Sequence, residues 1–234
     1  MITDIARPKT VTEAVRAGSV PGAAWLGGGT WLNSGQAGNV TTLVSLEHLG
    51  LDSIHSDQGR CTVGAAATFQ AIADNVHLPA GLRDAVRLTA SRTLRNMVTL
   101  GSELGRNPPD SAVIPLLIAL DAEVALAGRK KPLPIRSLLT EKKAGLILSV
   151  SFDTRHAAAV RAVSRTSHSP RSLVVAMCGT RIVASDCMGR VVLLEQPQAF
   201  EPRPDVHASA EYKRYMAGVL IADLRAALAK GEGR

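Results

Sequence analysis

Aromatic residues are scarce in this chain: they make up 3% of its 234 residues, as two Trp, two Tyr and three Phe. A core must therefore be built from aliphatic side chains, and the stacking platforms that single-strand nucleic-acid readers need are missing. Cysteine is nearly absent too. Cys61, Cys178 and Cys187 lie far apart or in apolar runs. They offer neither the paired spacing of zinc and iron–sulfur ligands nor a disulfide framework, which fits a reducing, cytoplasmic setting. The histidines (His48, His55, His77, His156, His168 and His207) show no ligand spacing, so no metal site is expected. No apolar run approaches the ~20 residues that span a bilayer. The first twenty residues carry Asp4, Arg7, Lys9, Glu13 and Arg16, so no secretory signal core is expected there. No nucleophilic triad is apparent.

What is present is enough aliphatic material for a sizeable core: 46% of residues are hydrophobic, which argues against disorder. The net charge is +7 and the isoelectric point about 9.8. That balance fits either nucleic acid or an acidic protein partner. The basic residues are scattered, clustering only at Arg129-Lys130-Lys131 and Glu141-Lys142-Lys143, so nucleic acid is not the expected partner.

Local signals predict three successive lobes, over 1–56, 57–136 and 140–234. In the first, Thr10-x-x-Glu13 reads as a capping box opening a short helix through Arg16. Ala23–Leu26 and Leu43–Leu46 read as strands. In the second, Cys61–Ala66 reads as a strand, Thr68 caps a helix from Phe69 to Asn75, and Leu82–Ala90 is another helix. Val113–Leu120 is apolar throughout, and 121–126 alternates as a strand does. In the third, strands are expected at 146–152, 157–164, 173–176, 181–184 and 190–194, then a linker at 197–204. An amphipathic helix closes the chain over 207–228. Its stripe of Tyr212, Tyr215, Met216, Val219, Leu220, Leu224 and Leu228 reads as core.

The segments with chemical content are two small-residue turns. One is Gly27-Gly28-Gly29-Thr30-Trp31-Leu32, directly after a strand. The other lies in Leu94-Arg95-Asn96-Met97-Val98-Thr99-Leu100-Gly101-Ser102-Glu103-Leu104. Glycine turns let backbone N–H groups approach an anion closely, and two of them can grip one diphosphate. A triple glycine by itself serves equally well as a plain tight turn. Arg95 and Asn96 fit either a cofactor contact or a turn-stabilising role.

The order and spacing of these segments resemble the flavoprotein (medium) subunit of the molybdenum hydroxylases, the family of the xanthine, carbon monoxide and aldehyde dehydrogenase FAD subunits. The first turn matches a family pattern Ala-Gly-Gly-Thr-Asp-Leu, and the second a pattern Ile-Arg-Asn-x-Gly-Thr-Ile-Gly-Gly-Asn-Leu. Leu120-Asp121-Ala122 and Ser209-Ala210-Glu211-Tyr212-Lys213 match two further segments. The resemblance implies an α+β fold: a two-lobed FAD-binding domain of PCMH type, then a small C-terminal α/β domain of the CO dehydrogenase flavoprotein C-terminal type. It implies FAD held by Gly27, Gly28, Gly29, Thr30 and Trp31 on one wall and Thr99, Leu100, Gly101, Ser102 and Glu103 on the other. Asp110, Leu146 and Arg161 would lie near the flavin ring. Electrons would arrive from a [2Fe-2S] small subunit beside a molybdopterin-binding large subunit and leave to an acceptor such as NAD or oxygen. The chain departs from the pattern at Val98, Ser102, Glu103, Trp31 and Ala112. Those departures leave open a flavin-poor scaffold subunit of the same type of complex. A basic nucleic-acid-binding or regulatory module is the third reading.

Overall fold

The computed structural model describes residues 2–32, 38–141, 145–166, 169–196 and 199–231. Lys142, Lys143, His168 and the start of the expected linker at 197–198 fall outside the described residues.

The first lobe is built from β1 (Asp4–Ala6), α1 (Val11–Gly18), β2 (Ala23–Leu26) and β3 (Thr42–Ser45). The strands form a parallel sheet in the order β1-β3-β2. Thr10 caps α1 by accepting from the Glu13 N–H, and Glu13 accepts in turn from the Lys9 N–H. That closes the expected capping box one residue further out.

The second lobe holds β4 (Ile54–Asp57), β5 (Arg60–Gly64), α2 (Phe69–Asp74), α3 (Ala80–Thr89), α4 (Arg92–Arg95), α5 (Leu100–Arg106), α6 (Val113–Ala119), β6 (Glu123–Leu126), β7 (Leu133–Pro134), α7 (Ile135–Leu138) and β8 (Ile147–Asp153). Its sheet runs β4-β5-β8-β6-β7. Thus β8, which lies in the 140–234 segment of the sequence, hydrogen-bonds to β5 and β6 of this lobe. The apolar run before Leu120 forms α6, and every residue of it is buried. A helix apolar on all sides is stable only when enclosed. Sheets, α2, α3 and α6 share one continuous aliphatic core with Phe69 and Phe152.

The third lobe is an antiparallel sheet, ordered β12-β11-β10-β9, of β9 (Ala158–Ser164), β10 (Arg171–Cys178), β11 (Arg181–Ser185) and β12 (Val191–Leu194). One face joins the core of the second lobe. The other packs against α8 (Ala210–Ala229).

The expected stripe on α8 needs correction. Leu224 is buried, and Met216, Leu220 and Leu228 pack against the core. Tyr212, Tyr215 and Val219 face solvent, with Tyr215 69% exposed. The inward face is instead Lys213, Ala217, Ile221, Leu224 and Ala227. Small alanines let the helix approach the sheet closely, and a buried lysine sets its rotation. Lys213 Nζ donates to the carbonyls of Asp186 and Arg203 and pairs with Asp205 at 2.8 Å. Asp186 is also buried and accepts from the N–H groups of Met188, Arg190 and Arg203. Burial pushes the Asp186 carboxyl up, but those hydrogen bonds outweigh it and hold it below its ordinary value.

No helix among the described residues is long and apolar enough to cross a membrane. The three thiols are buried. Burial pushes Cys61 up to about 11 and Cys187 up to about 12, which marks core thiols rather than reactive ones.

Candidate flavin site

The first turn follows β2 directly. Gly29 has φ of +70°, a conformation that side chains resist. The N–H groups of Gly27, Gly28 and Gly29 have no acceptor among the described residues. The turn lies against the second lobe: a Cβ at Gly27 would sit 2.8 Å from Thr99 Oγ1, and one at Gly28 would overlap the Met97 carbonyl. The structure thus brings the two predicted turns into contact. A cleft of about 430 Å³ lies along this seam, lined by Gly27, Gly28, Ser45, Asn96, Met97 and Thr99 among others, all from the first two lobes. Glu47 and Asp52 also line it, and no basic side chain among the described residues does.

The second wall is a helix start rather than a glycine turn. Thr99 is the N-cap of α5, and Ser102 closes a capping box with it. Thr99 N–H donates to Ser102 Oγ at 3.1 Å, and Ser102 N–H donates to Thr99 Oγ1 at 3.3 Å. Leu100 N–H donates to Ala67 O, Gly101 N–H to Ala65 O and Glu103 N–H to Thr99 O. Every backbone donor from Thr99 to Glu103 is therefore already used inside the protein. The backbone N–H groups of this wall are therefore not free to meet an anion, whereas Thr99 itself still lines the cleft. Ser102 departs from the family pattern, and its hydroxyl completes the cap of its own helix.

Glu103 points away from the cleft. It is 3% exposed, and its Oε1 has no hydrogen-bond partner. Burial raises its pKa above the ordinary 4.5, while hydrogen bonding to Ser111 and the charge of Arg106 oppose the rise. An acid whose pKa is raised by folding holds its proton better folded than unfolded, so stability falls as pH climbs through that window. Glu103→Gln is expected to remove this slope. Urea midpoints from pH 4.5 upward should show the variant gaining on the parent, reaching about 1–3 kcal/mol at neutral pH. A difference that does not change with pH would refute the buried acid.

The remaining predicted positions are dispersed. Leu100 is a core residue, and Thr30 and Trp31 are half-buried beside the first turn. Leu146 is buried against Ala14, Val44 and Leu46 of the first lobe. Asp110 accepts from Arg171 at 2.9 Å, a residue the sequence reading passed over. Arg171 also donates to the carbonyls of Asp110 and Leu88, tying β10 to the second lobe. Arg161 lies on the α8 face of β9, where it pairs with Asp223 at 2.8 Å. Arg95 braces Gln70 and the Ala90 carbonyl, which is the turn-stabilising role, whereas Asn96 lines the cleft. None of Leu146, Arg161 or Glu103 lines the seam cleft.

The geometry has counterparts. Quinoline 2-oxidoreductase from Pseudomonas putida 86 superposes with a TM-score of 0.85 at 18% identity, over 99% of this chain and 98% of that one. Carbon monoxide dehydrogenase from Hydrogenophaga pseudoflava gives 0.83 at 19% identity, covering 98% of both chains. At these identities the likeness is one of fold. The uncharacterized protein YgfM of Escherichia coli K12 is 29% identical over 250 residues, covering 97% of this chain and 96% of its own length. Residues 2–151 match the family described as the FAD binding domain in molybdopterin dehydrogenase, spanning both lobes that form the seam. This chain therefore belongs to that family of FAD-binding domains, and its fold is the α+β arrangement of their flavoprotein subunits.

Proposed function

We propose that this chain is the FAD-carrying subunit of a molybdenum hydroxylase-type complex, relaying electrons from an iron–sulfur partner to an acceptor such as NAD or oxygen. The observation that carries the reading is the glycine turn whose N–H groups have no acceptor among the described residues, with Gly27 and Gly28 lining a cleft between the two lobes of a recognised FAD-binding domain. Such a row suits a diphosphate, because glycine lets the anion reach the backbone and each N–H supplies one hydrogen bond. FAD fits this cradle; when bound it supplies the redox chemistry, and the protein supplies binding and orientation. Gly29 would set the turn, Gly27 and Gly28 would hold the diphosphate, and Asn96 with Ser45 would offer polar contacts along the cleft. Three scattered cysteines fall short of an iron–sulfur ligand set, so a [2Fe-2S] small subunit and a molybdopterin-binding large subunit are proposed as partners.

The occupied donors of Thr99 to Glu103 favour a second reading, a scaffold subunit that holds flavin weakly. The absorption spectrum of the purified chain, before and after adding FAD and desalting, decides between them. A flavin spectrum that survives desalting is expected. A folded chain that retains none, alone and in its co-purified complex, would overturn the relay reading in favour of the scaffold.

Ser102→Gly tests the second wall. Losing the hydroxyl frees the Thr99 N–H, which donates to it, so FAD should bind about tenfold more tightly, as one added charge-assisted hydrogen bond would give. Equal or weaker binding in an equilibrium titration would show that this wall donates nothing to the cofactor.

A further inference from the structure

A second and larger cavity lies at the seam between the second and third lobes. Its volume is about 610 Å³, within the range of small-molecule sites, and such sites favour the junctions between folding units. It shares no lining residue with the cleft at Gly27 and Gly28. Three separate parts of the chain converge on it: the α5–α6 connection, the segment from Pro134 to Thr140, and the hairpin between β11 and β12. The floor is apolar, with Ile114 and Ile118 of α6 buried beneath it and Val191 at its side. The rim is polar. Arg136 makes no hydrogen bond or ion pair with any described residue, and neither the Asn107 side-chain amide nor the Ser137 hydroxyl has a partner among the described residues.

The charges at this rim can be counted. Asp121 also lines the cavity, and its carboxylate is paired with Arg181 at 3.5 Å. Arg136 is thus the one uncompensated charge among the described lining residues, and the cavity favours a single negative charge.

We propose that this cavity is a binding site for a small monocarboxylate with a flat apolar body, separate from the flavin cleft. The Arg136 guanidinium takes the carboxylate through its two parallel N–H donors, a geometry that ammonium groups do not match. Asn107 and Ser137 donate to the same oxygens, and the ring lies on Ile114 and Ile118.

Benzoate is the probe, titrated by calorimetry into the full-length chain with and without saturating FAD. One saturable site is expected, with the same affinity in both states. Arg136→Ala should weaken it about tenfold or more, since a hydrogen bond to a charged group is lost. Arg136→Lys should recover part of that loss. Arg136 is exposed and unpartnered, so both variants should melt at the parent's temperature. Absence of saturable binding, or equal binding by Arg136→Ala, would overturn the proposal. Displacement of benzoate by FAD would also overturn it, by assigning the cavity to the flavin.

Discussion

Gly28→Ala is expected to cost this protein most of its flavin. The added methyl would overlap the Met97 carbonyl, which is backbone and cannot swing aside as a side chain could. The first turn would then have to lift from the second lobe. Overpacking of this kind costs about 1–3 kcal/mol. The displacement also moves the N–H groups of Gly27 and Gly29 relative to Thr99 and Asn96, on the opposite wall. Retention of FAD after desalting should fall about tenfold or more, each decade corresponding to about 1.4 kcal/mol. Gly105→Ala provides the comparison. Gly105 lies in α5 with nothing within 4 Å of a Cβ and no positive φ, so alanine there should add about 1 kcal/mol of helix stability and leave flavin untouched. If Gly28→Ala kept both its melting temperature and its flavin, the lobe contact would not hold the cleft in shape.

Lys213→Ala is expected to give the largest loss of stability. The ammonium group is buried, and it is the partner of the Asp205 carboxylate and of two carbonyls from separate loops. Deleting it strands a buried negative charge, which costs about 3–5 kcal/mol. The pH profile carries a second signature. Burial pushes Asp205 up, but the Lys213 ion pair and the N–H groups of His207 and Ala208 hold it below its ordinary value of 3.8. A carboxyl depressed by folding contributes stability that is present above that ordinary value and lost as pH falls through the folded value. Without Lys213 this acid-side contribution should shrink, so the variant and its parent should converge at low pH. Guanidinium unfolding at pH 7 and pH 3 measures both effects. A loss under about 1 kcal/mol at pH 7 would show that the loops carry the network without the lysine.

The same residue shows how far sequence reasoning reached. Ser209, Tyr212 and Lys213 were legible as a segment of the family pattern, and Ser209 does cap α8 by accepting from the Tyr212 N–H. That Lys213 faces inward while Tyr215 faces out was not legible, because a helix's rotation is decided by what it meets. Arg161 is a similar case. Its place in a strand was expected, but which face of the strand it occupies, and its pairing with Asp223, depend on α8 folding back from far along the chain.

Sequence alone determined what is local or repeated along the chain. The caps at Thr10 and Thr68, the alternation at 121–126 and the strand-to-glycine turn at Gly27 each arise from interactions within a few residues, which spacing records directly. The aliphatic core followed from composition. Tertiary structure decided which groups remain available to a ligand. The second turn, a donor wall by its residue types, spends its N–H groups on Ser102, Thr99, Ala65 and Ala67. The triple glycine, plausible as a plain turn, keeps its N–H groups free because the lobe opposite closes on Met97 and leaves the cleft beside it. Glu103 is turned inward with Oε1 left without a partner, which its residue type gave no sign of. A hydrogen-bond donor can be counted from sequence, but whether it is already satisfied depends on residues that only folding brings within 3 Å.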